Sequence, residues 1–424
     1  MARFLIHGGR RLSGGHRPSG NKNAALPMLA ACVLTEEPVR LRNVPMIADV
    51  RTMLAILDEL GADVSVRGHT VTVCARGVRK TRLHSALCRQ ARSSILFAGP
   101  LAARFGRATL PPPGGDVIGR RRLDTHFDAL RQLGIRVDGN GTYRFRRRSL
   151  RGADVLLDEA SVTATENVVM AAVLASGTTV LFHAACEPHV QDLCVMLNRM
   201  GARIAGIGTN RLLIEGVPSL GGVTHTLKSD AIEAASYAAA AALTGGEVVL
   251  EDVDPIDWRV VSRPCARLGV ETEHRGSRVR VPAGQVLRVR NDYGSAIPKI
   301  EDGPWPSVPS DIMSVALVMA TRAKGTTLFF EKMYESRLYF VDRLIDMGAR
   351  IVQCDPHRVM VAGPCSLHGT HLASPDIRAG MALLIAALCA RGPSMIDNAE
   401  VIDRGYERVD DTLRRLGADV VRMA

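Results

Sequence analysis

A ten-residue pattern recurs six times along this chain of 424 residues. In every copy two apolar residues three positions apart precede a glycine, and an alternating polar and apolar stretch follows it. The apolar pair is typical of the end of an amphipathic helix, the glycine of a left-handed C-terminal cap, and the stretch of a half-buried strand. The copies are LDELGADVSV, LRQLGIRVDG, LNRMGARIAG, CARLGVETEH, LIDMGARIVQ and LRRLGADVVR, with Gly61, Gly134, Gly201, Gly269, Gly348 and Gly417. Six copies predict a repetitive α/β fold, because self-similarity at a nearly fixed period indicates one repeated supersecondary unit.

The length of the chain favours two domains. A single hydrophobic core rarely grows beyond about 250–300 residues, and the six copies divide evenly into two groups of three. We therefore expect two domains of three units each.

The composition points to anionic ligands. The formal charge is +11, chiefly from arginine, while aromatic residues make up only 4% of the chain. Arginine suits the phosphates of small molecules and of nucleic acids alike, but few rings are available for stacking on bases. The composition is therefore compatible with small anionic ligands and disfavours binding of single-stranded nucleic acid.

The cysteines and the apolar runs favour a cytoplasmic protein. Nine cysteines are scattered without a CxxC pair, which is typical of reduced thiols, and no metal-ligand cluster is visible. The longest apolar runs, AASYAAAAAL and MALLIAALCA, are half as long as a membrane span. We expect no metal, no cofactor and no membrane partner, while the sequence leaves the oligomeric state open.

A second helix in each unit is apolar nearly all round, so it should be buried with only its ends free for chemistry. A helix N-terminus offers free amides and a partial positive charge, which suit phosphate or carboxylate. Ser and Asp at such places are usually caps, but Lys22, Arg92 and Arg378 oppose the helix dipole and indicate a bound anion. If the units pack quasi-symmetrically, these ends converge. Their polar residues are Lys22, Asn23, Arg92, Ser161, Asp230, Glu233, Asp311, Asp376 and Arg378.

Two further segments gather charge. The segment 111–127 is rich in Gly and Pro, so we expect irregular structure there, either a mobile anion-binding lid or a solvated surface loop. The stretch IDRGYERVDD places Arg404 just before the last amphipathic helix, where an ordinary salt-bridged helix start is the simpler interpretation.

Eight further motifs follow one another along the chain. They are SGNKNAALP, RSSILFAGPLAARFG, PPGGDVIGRR with LDTH, ASVTATEN, VPSDIMS, YESR, DIRAG and IDRGYER. Together they resemble the motifs of the enolpyruvyl transferase family. The resemblance implies two domains that form an inside-out α/β barrel of six βαβαββ-type repeats. It also implies that 22–228 form one domain carrying the lid 111–127, that 1–21 with 229–424 form the other, and that the active site lies in the cleft between them.

The resemblance implies transfer of the enolpyruvyl group of phosphoenolpyruvate to a hydroxyl of a uridine nucleotide, with release of phosphate. The expected acceptor is the 3-hydroxyl of UDP-N-acetylglucosamine, in peptidoglycan precursor synthesis. Asp311 matches the family's base near the acceptor hydroxyl, and Asp116, Lys22 and Arg404 complete the expected catalytic set. The positions that match phosphoenolpyruvate ligands are Lys22, Asn23, Arg121, Arg337, Arg378 and Arg404. The positions that match acceptor ligands are Asn23, Arg92, Arg121, Arg122, Leu123, Asp124, Thr125, Ser161, Val162, Asp311 and Met333.

The lid departs from the family pattern, because Asp116 stands where most relatives carry cysteine. A carboxylic acid has an ordinary pKa of about 3.9 and can donate a proton near neutral pH only if enclosure raises that pKa. Neighbouring arginines act in the opposite direction. The family's cysteine is the target of the epoxide fosfomycin, and a carboxylate is a poorer soft nucleophile. We therefore expect an active but fosfomycin-insensitive enzyme.

Three further departures fall on the acceptor side. Thr163 replaces a glycine that allows close approach to a diphosphate, and Ala231 and Cys186 replace arginines. Because of these changes, a different acceptor, such as UMP in nucleoside-antibiotic synthesis, stays an alternative. A shikimate-pathway transferase fits the lid and SGNKNAALP less well, and a non-catalytic anion-binding or nucleic-acid-binding protein is supported only by the charge.

Overall fold

The computed structural model describes residues 2–115 and 118–423, which form two compact units. Of these residues, 20–115 and 121–228 belong to the unit that we call N-terminal. The C-terminal unit holds 2–19, 118–120 and 229–423. Each unit has its own apolar core.

The helices follow the predicted alternation with strands. The α-helices are α1 Lys22–Ala31, α2 Ala48–Leu60, α3 Ser85–Gln90, α4 Ala98–Phe105, α5 Asp124–Gln132, α6 Val162–Ala172, α7 Pro188–Arg199, α8 Ala231–Leu243, α9 Pro255–Arg267, α10 Ser310–Arg322, α11 Val341–Asp346, α12 Ile377–Leu388 and α13 Val409–Arg415. Short 3-10 helices are Cys32–Leu34, Ala75–Gly77, Arg92–Phe97, Tyr293–Ser295 and Ala399–Arg404.

The strands are short, as expected for repeated small sheets. They are β1 Arg3–His7, β2 Ser13–His16, β3 Val39–Arg42, β4 Asp63–Arg67, β5 Thr70–Cys74, β6 Arg107–Leu110, β7 Ile135–Asp138, β8 Tyr143–Arg147, β9 Asp154–Leu156, β10 Thr178–Phe182, β11 Arg203–Ala205, β12 Arg211–Glu215, β13 Val223–Thr226, β14 Glu247–Leu250, β15 Glu273–Arg275, β16 Arg278–Val281, β17 Lys299–Glu301, β18 Gly325–Phe330, β19 Ile351–Asp355, β20 Arg358–Gly363, β21 His371–Ala373, β22 Pro393–Asp397 and β23 Asp419–Met423.

Within the described residues, the sheets repeat one topology in both units. The N-terminal unit has the orders β13-β3-β5-β4, β6-β8-β7 and β11-β12-β10-β9, and the C-terminal unit has β15-β16-β14-β2, β17-β18-β20-β19 and β21-β22-β1-β23. Every four-stranded sheet contains one parallel and two antiparallel pairings. In the sheet of β6, β7 and β8 the parallel strand is reduced to a single bridge between Arg82 and Thr109. The predicted six-fold α/β repetition is confirmed.

The apolar helices lie in the cores, as their sequences predict. In α8 every residue except Ile232 is buried, and its alanine-rich sequence has the highest intrinsic helix propensity. Asp230 begins this helix by accepting hydrogen bonds from the amides of Ile232 and Glu233 at 2.9 and 3.0 Å. A helix buried on every side leaves polar chemistry to its ends.

The six repeat glycines adopt the left-handed conformation that the pattern predicts, with φ between 84° and 104°. At Gly201 the amide bonds to the carbonyl of Asn198, and the following amide of Ala202 bonds to the carbonyl of Leu197, both at 3.0 Å. The second bond recurs at four other copies, where the acceptor is also the first apolar residue of the pattern. These are Schellman caps, which satisfy carbonyls that the helix end leaves without partners.

One secondary-structure prediction is wrong at its boundary. Residues 111–115 and 118–123 are irregular, but 124–127 form the first turn of α5. Asp124 lies in that turn, where a carboxylate interacts favourably with the helix dipole. The Gly and Pro content of the earlier part concealed this helix start.

No helix among the described residues is long and apolar enough to cross a bilayer.

Substituting two of the repeat glycines separates conformational strain from steric clash. Gly201→Ala should lower the free energy of unfolding by about 1–2 kcal/mol, because an added Cβ disfavours the left-handed conformation but meets no atom within 4 Å. Gly134→Ala should cost more, since its Cβ would lie 1.8 Å from the carbonyl oxygen of Ser149. Urea unfolding of both variants measures the difference. Equal losses would contradict this account of the caps.

Candidate active site

The N-termini of three buried helices meet in the C-terminal unit. Arg378, near the start of α12, donates from Nη2 to Oδ2 of Asp311 at 2.7 Å, and Asp311 lies in the first turn of α10. Asp230, at the start of α8, also acts electrostatically on Arg378. The predicted convergence of helix ends is confirmed for this unit.

A second guanidinium completes a clamp on Asp311. Arg337 donates from Nη2 to Oδ1 of Asp311 at 3.0 Å. Both arginines are almost fully buried, whereas about a quarter of the Asp311 side chain, 27%, is exposed. The carboxylate is therefore held by two fixed cations while part of it can still reach a ligand.

The electrostatics of the clamp keep both arginines charged. Burial lowers the pKa of Arg337, but the carboxylates of Asp311, Asp376 and Glu331 outweigh burial and raise it. Burial also lowers the pKa of Arg378, and Asp311 again outweighs it, so the pKa lies well above the ordinary value. Nη1 of Arg378 is buried without a well-aligned acceptor among the residues described. A bound carboxylate could accept from it.

Two more predicted residues of this unit lie at its polar segments. Arg404 is the last residue of the 3-10 helix Ala399–Arg404 and is half-buried. Met333 follows β18 and keeps 38% of its surface exposed.

In the N-terminal unit, Lys22 begins α1 and pairs with Asp49 in the first turn of α2, with 2.9 Å between Nζ and Oδ2. Both side chains are largely buried. A protein carboxylate therefore accompanies this cation, and Arg378 is likewise matched by Asp311. Carboxylates distant in sequence therefore lie beside these helix-start cations; whether an anion also binds there stays a prediction.

Hydrogen bonds and an ion pair link several predicted acceptor residues of the N-terminal unit into one surface. Arg92 begins the 3-10 helix Arg92–Phe97 and donates to the backbone carbonyls of Arg121 and Arg122. Arg122 pairs with Asp158 at 2.5 Å. Leu123, Asp124 and Thr125 follow in the same segment. The remaining predicted residues are Ser161 and Val162 at the start of α6, and Asn23, which is half-buried on α1.

Asp158 joins this surface together, although no sequence motif marks it. Its Oδ1 accepts from the hydroxyl of Thr125 at 2.5 Å. That hydrogen bond, followed by those from Arg122, lowers the pKa of Asp158. A fixed carboxylate thus orders the 121–125 segment against the loop that leads to α6.

A buried histidine network lies beside this surface. Asn167 Nδ2 donates to Nδ1 of His126 at 3.0 Å, so the other ring nitrogen carries the proton and donates to Oγ1 of Thr163 at 3.0 Å. Burial, and then the charge of Arg92, lower the pKa of His126 to about 3. The hydroxyl of Thr163, one of the unexpected residues, therefore anchors the start of α6 to α5.

The other two residues that depart from the family pattern are Ala231 and Cys186. Ala231 is the first residue of α8, directly after the capping Asp230. Cys186 is half-buried, and its backbone carbonyl accepts from Gln191 at 2.8 Å. Asp116, the predicted proton donor, lies outside the described residues.

Among the described residues, no group of three or more His, Cys, Asp or Glu side chains is arranged to hold a metal ion.

Comparison with known proteins identifies the family. Residues 6–413 match the family described as EPSP synthase (3-phosphoshikimate 1-carboxyvinyltransferase). This chain therefore belongs to the enolpyruvyl transferase family, and it is a transferase.

Two named relatives are similar to this chain over nearly its whole length. The chain is 50% identical over 421 residues to a UDP-N-acetylglucosamine 1-carboxyvinyltransferase of Treponema denticola, with 99% of both chains covered. It is 52% identical over 421 residues to the enzyme of the same name from Treponema pallidum, again with 99% of both covered.

Solved structures show the same fold. The enolpyruvyl transferase NikO from Streptomyces tendae is 26% identical, with a TM-score of 0.88, over 100% of this chain and 99% of that one. EPSP synthase from Acinetobacter baumannii, at 19% identity, covers 100% of both chains with a TM-score of 0.76. The predicted family and fold class are confirmed.

The histidine network predicts a difference between two substitutions at one position. Thr163→Ala should lower the free energy of unfolding by about 1 kcal/mol, because the buried N–H of His126 loses its acceptor. Thr163→Ser keeps the hydroxyl and should cost less. Urea unfolding at pH 7.5 compares them with the unsubstituted chain. If alanine is tolerated as well as serine, the hydroxyl does not anchor α6.

Proposed function

We propose that this transferase moves the enolpyruvyl group of phosphoenolpyruvate to the 3-hydroxyl of UDP-N-acetylglucosamine and releases phosphate, a cytoplasmic step of peptidoglycan precursor synthesis. The structural observation that carries the proposal is the Asp311 carboxylate between Arg337 and Arg378. It supplies a proton acceptor next to fixed cations, which the chemistry requires. The two Treponema relatives support the choice of acceptor by their names.

In the addition step, the acceptor hydroxyl gives its proton to Asp311 and its oxygen bonds to C2 of phosphoenolpyruvate. C3 takes up a proton, for which we propose Asp116 as the donor, and the C2–C3 double bond becomes single. In the elimination step, C3 returns a proton to the Asp116 carboxylate, the double bond forms again and the bond from C2 to the phosphate oxygen breaks. The leaving phosphate takes up the proton held by Asp311. A base within reach of the hydroxyl typically contributes about 10²–10⁴-fold.

The proposed ligands of phosphoenolpyruvate are mostly cationic. Arg378 supports this role through its buried Nη1, which can donate to the substrate carboxylate. Fixed, desolvated cations stabilise the charge that develops during reaction far better than water does. The proposed set is Lys22, Asn23, Arg121, Arg337, Arg378 and Arg404.

We assign the acceptor to the surface built around Asp158 in the N-terminal unit, with Asp311 and Met333 as further ligands. Thr163 has a structural role of its own, because its hydroxyl bonds to His126. The alternative acceptor, UMP, keeps the same reaction and the same phosphoenolpyruvate residues. Neither nucleic acid nor a membrane is a partner in this scheme.

Phosphate release with separate acceptors tests the proposal. The protein is incubated with phosphoenolpyruvate and either UDP-N-acetylglucosamine, UMP or shikimate 3-phosphate. Release only with UDP-N-acetylglucosamine is expected. Release only with another acceptor would keep the reaction class and overturn the acceptor, and release with none would overturn the proposal.

Removing the proposed base should abolish most turnover. Asp311→Asn should lower kcat by about a hundredfold to ten-thousandfold, because the amide cannot accept the hydroxyl proton. The matched control is Asp346→Asn, an exposed carboxylate on α11 that pairs with Arg343 at 3.5 Å. Its kcat should equal that of the unsubstituted enzyme. Turnover that survives in Asp311→Asn would assign the base elsewhere.

Fosfomycin should not modify the enzyme. Asp116 offers a carboxylate where epoxide opening needs a soft thiolate, so intact-mass measurement should show no adduct. Asp116→Cys should gain one adduct and lose activity with the drug, while Asp116→Ser should gain none. An adduct on the unsubstituted protein would contradict the prediction.

A further inference from the structure

A chain of hydrogen bonds leads from the clamp into the interior of the C-terminal unit. Arg337, which holds Asp311 through Nη2, also donates from Nε to Oγ of Ser310 at 3.2 Å. The Ser310 oxygen lies 2.9 Å from each carboxylate oxygen of Glu331. Because a guanidinium can only donate, the serine must accept from Arg337 and turn its own hydrogen toward Glu331.

A second buried carboxyl group lies against Glu331. Asp302 is 1% exposed and Glu331 is fully buried. The amide of Asp302 donates to the carbonyl of Phe330 at 3.3 Å, and Oδ1 of Asp302 accepts from the amide of Lys332 at 2.5 Å, so Asp302 lies beside Glu331. Oδ2 of Asp302 is buried without a donor among the residues described. Two buried carboxyl groups side by side are tolerated when one of them holds a proton. We call Asp302 and Glu331 the carboxyl pair.

The groups around the carboxyl pair do not neutralise two negative charges. Apart from Ser310, Glu331 faces the amide of Tyr334 at 3.2 Å and the charge of Arg337. Its backbone pairs with His357, whose Nδ1 lies 2.7 Å from the Glu331 carbonyl oxygen. Burial first, and then Asp302, raise the pKa of Glu331 to about 9 against the smaller opposite effects of Arg337 and Ser310.

The charges of the whole cluster also favour a proton on the carboxyl pair. Arg337 and Arg378 contribute two positive charges. Asp311, Asp376 and Asp230 contribute three negative charges; Asp376 lies 3.8 Å from Arg337, and Asp230 acts on Arg378. A carboxyl pair with one proton adds a fourth negative charge, and without the proton it would add a fifth. Charges removed from water are tolerated only when they are matched.

We propose that Asp302 and Glu331 share one buried proton and, through Ser310, fix the orientation of Arg337 and thereby of Asp311. They are positioning residues, because they act on the proposed base only through other side chains. Loss of the shared proton gives Glu331 a full charge that competes with Asp311 for Arg337. This inference rests on the proposed role of Asp311.

The pH profile of kcat distinguishes positioning from a merely structural role. With phosphoenolpyruvate and UDP-N-acetylglucosamine, the unsubstituted enzyme should lose kcat above about pH 9, as the carboxyl pair loses its proton. Glu331→Gln mimics the protonated acid, so that decline should disappear. Glu301→Gln, an adjacent carboxylate paired with Lys299 and Lys332, is the matched control and should keep it. An unchanged decline in Glu331→Gln would overturn the proposal.

A second pair of variants tests the serine relay. Ser310→Ala should lower kcat about tenfold or more with little change in KM for the acceptor, because a hydrogen bond to charged groups is lost. Ser310→Thr keeps the hydroxyl and should restore most of kcat. Equal kcat values in the two variants would also overturn the proposal.

Unfolding measurements separate this inference from the proposed function, since they need no substrate. Folding holds a proton on Glu331 that the unfolded chain has released above pH 4.5, so stability is lost as the pH rises toward about 9. The urea midpoint of the unsubstituted protein should therefore fall relative to that of Glu331→Gln from pH 5 to 9, and the difference should then level off. Parallel midpoints would contradict the shared proton even if the enzyme uses another acceptor.

Discussion

The proposed chemistry depends on one arrangement of charge, the carboxylate of Asp311 held between two buried guanidinium groups. A carboxylate largely removed from water needs fixed cations, and Arg337 and Arg378 supply them. Each arginine must in turn be matched: Asp376 and Glu331 also act on Arg337, and Asp230 acts on Arg378. The cluster is therefore stable as a whole, and removing any one charge leaves another without compensation. Such interdependence fixes the base more firmly than a single ion pair could.

The fold makes this arrangement possible by burying helices that are apolar on every side. The middle turns of these helices carry no charged side chain, so charge gathers where α8, α10 and α12 begin. Free amides at those ends favour anions, and Asp376 satisfies two of them by accepting from the amides of Arg378 and Ala379. Residues of all three helices pack into one apolar core, which brings their polar starts together.

Local pattern was sufficient to predict the repeated unit. Gly61, Gly201 and the other repeat glycines adopt the expected left-handed conformation because the cap depends on a few adjacent residues. Pairings between distant residues could not be predicted in this way. Asp49 matches Lys22 across 27 positions of sequence, and Glu331 meets Ser310 across 21. No single-sequence signal marks such partners, because packing of separate elements creates them. Family resemblance located Asp311 and its arginines but was silent about what holds them.

The reaction product tests the central claim most directly. Proton magnetic resonance of the product formed in deuterated water from phosphoenolpyruvate and UDP-N-acetylglucosamine reports both the acceptor and the path. The account predicts an enolpyruvyl ether on the 3-oxygen of the sugar with deuterium at the vinyl carbon, because C3 takes up a solvent-derived proton before elimination. An ether at another position, or a vinyl carbon without deuterium, would contradict it.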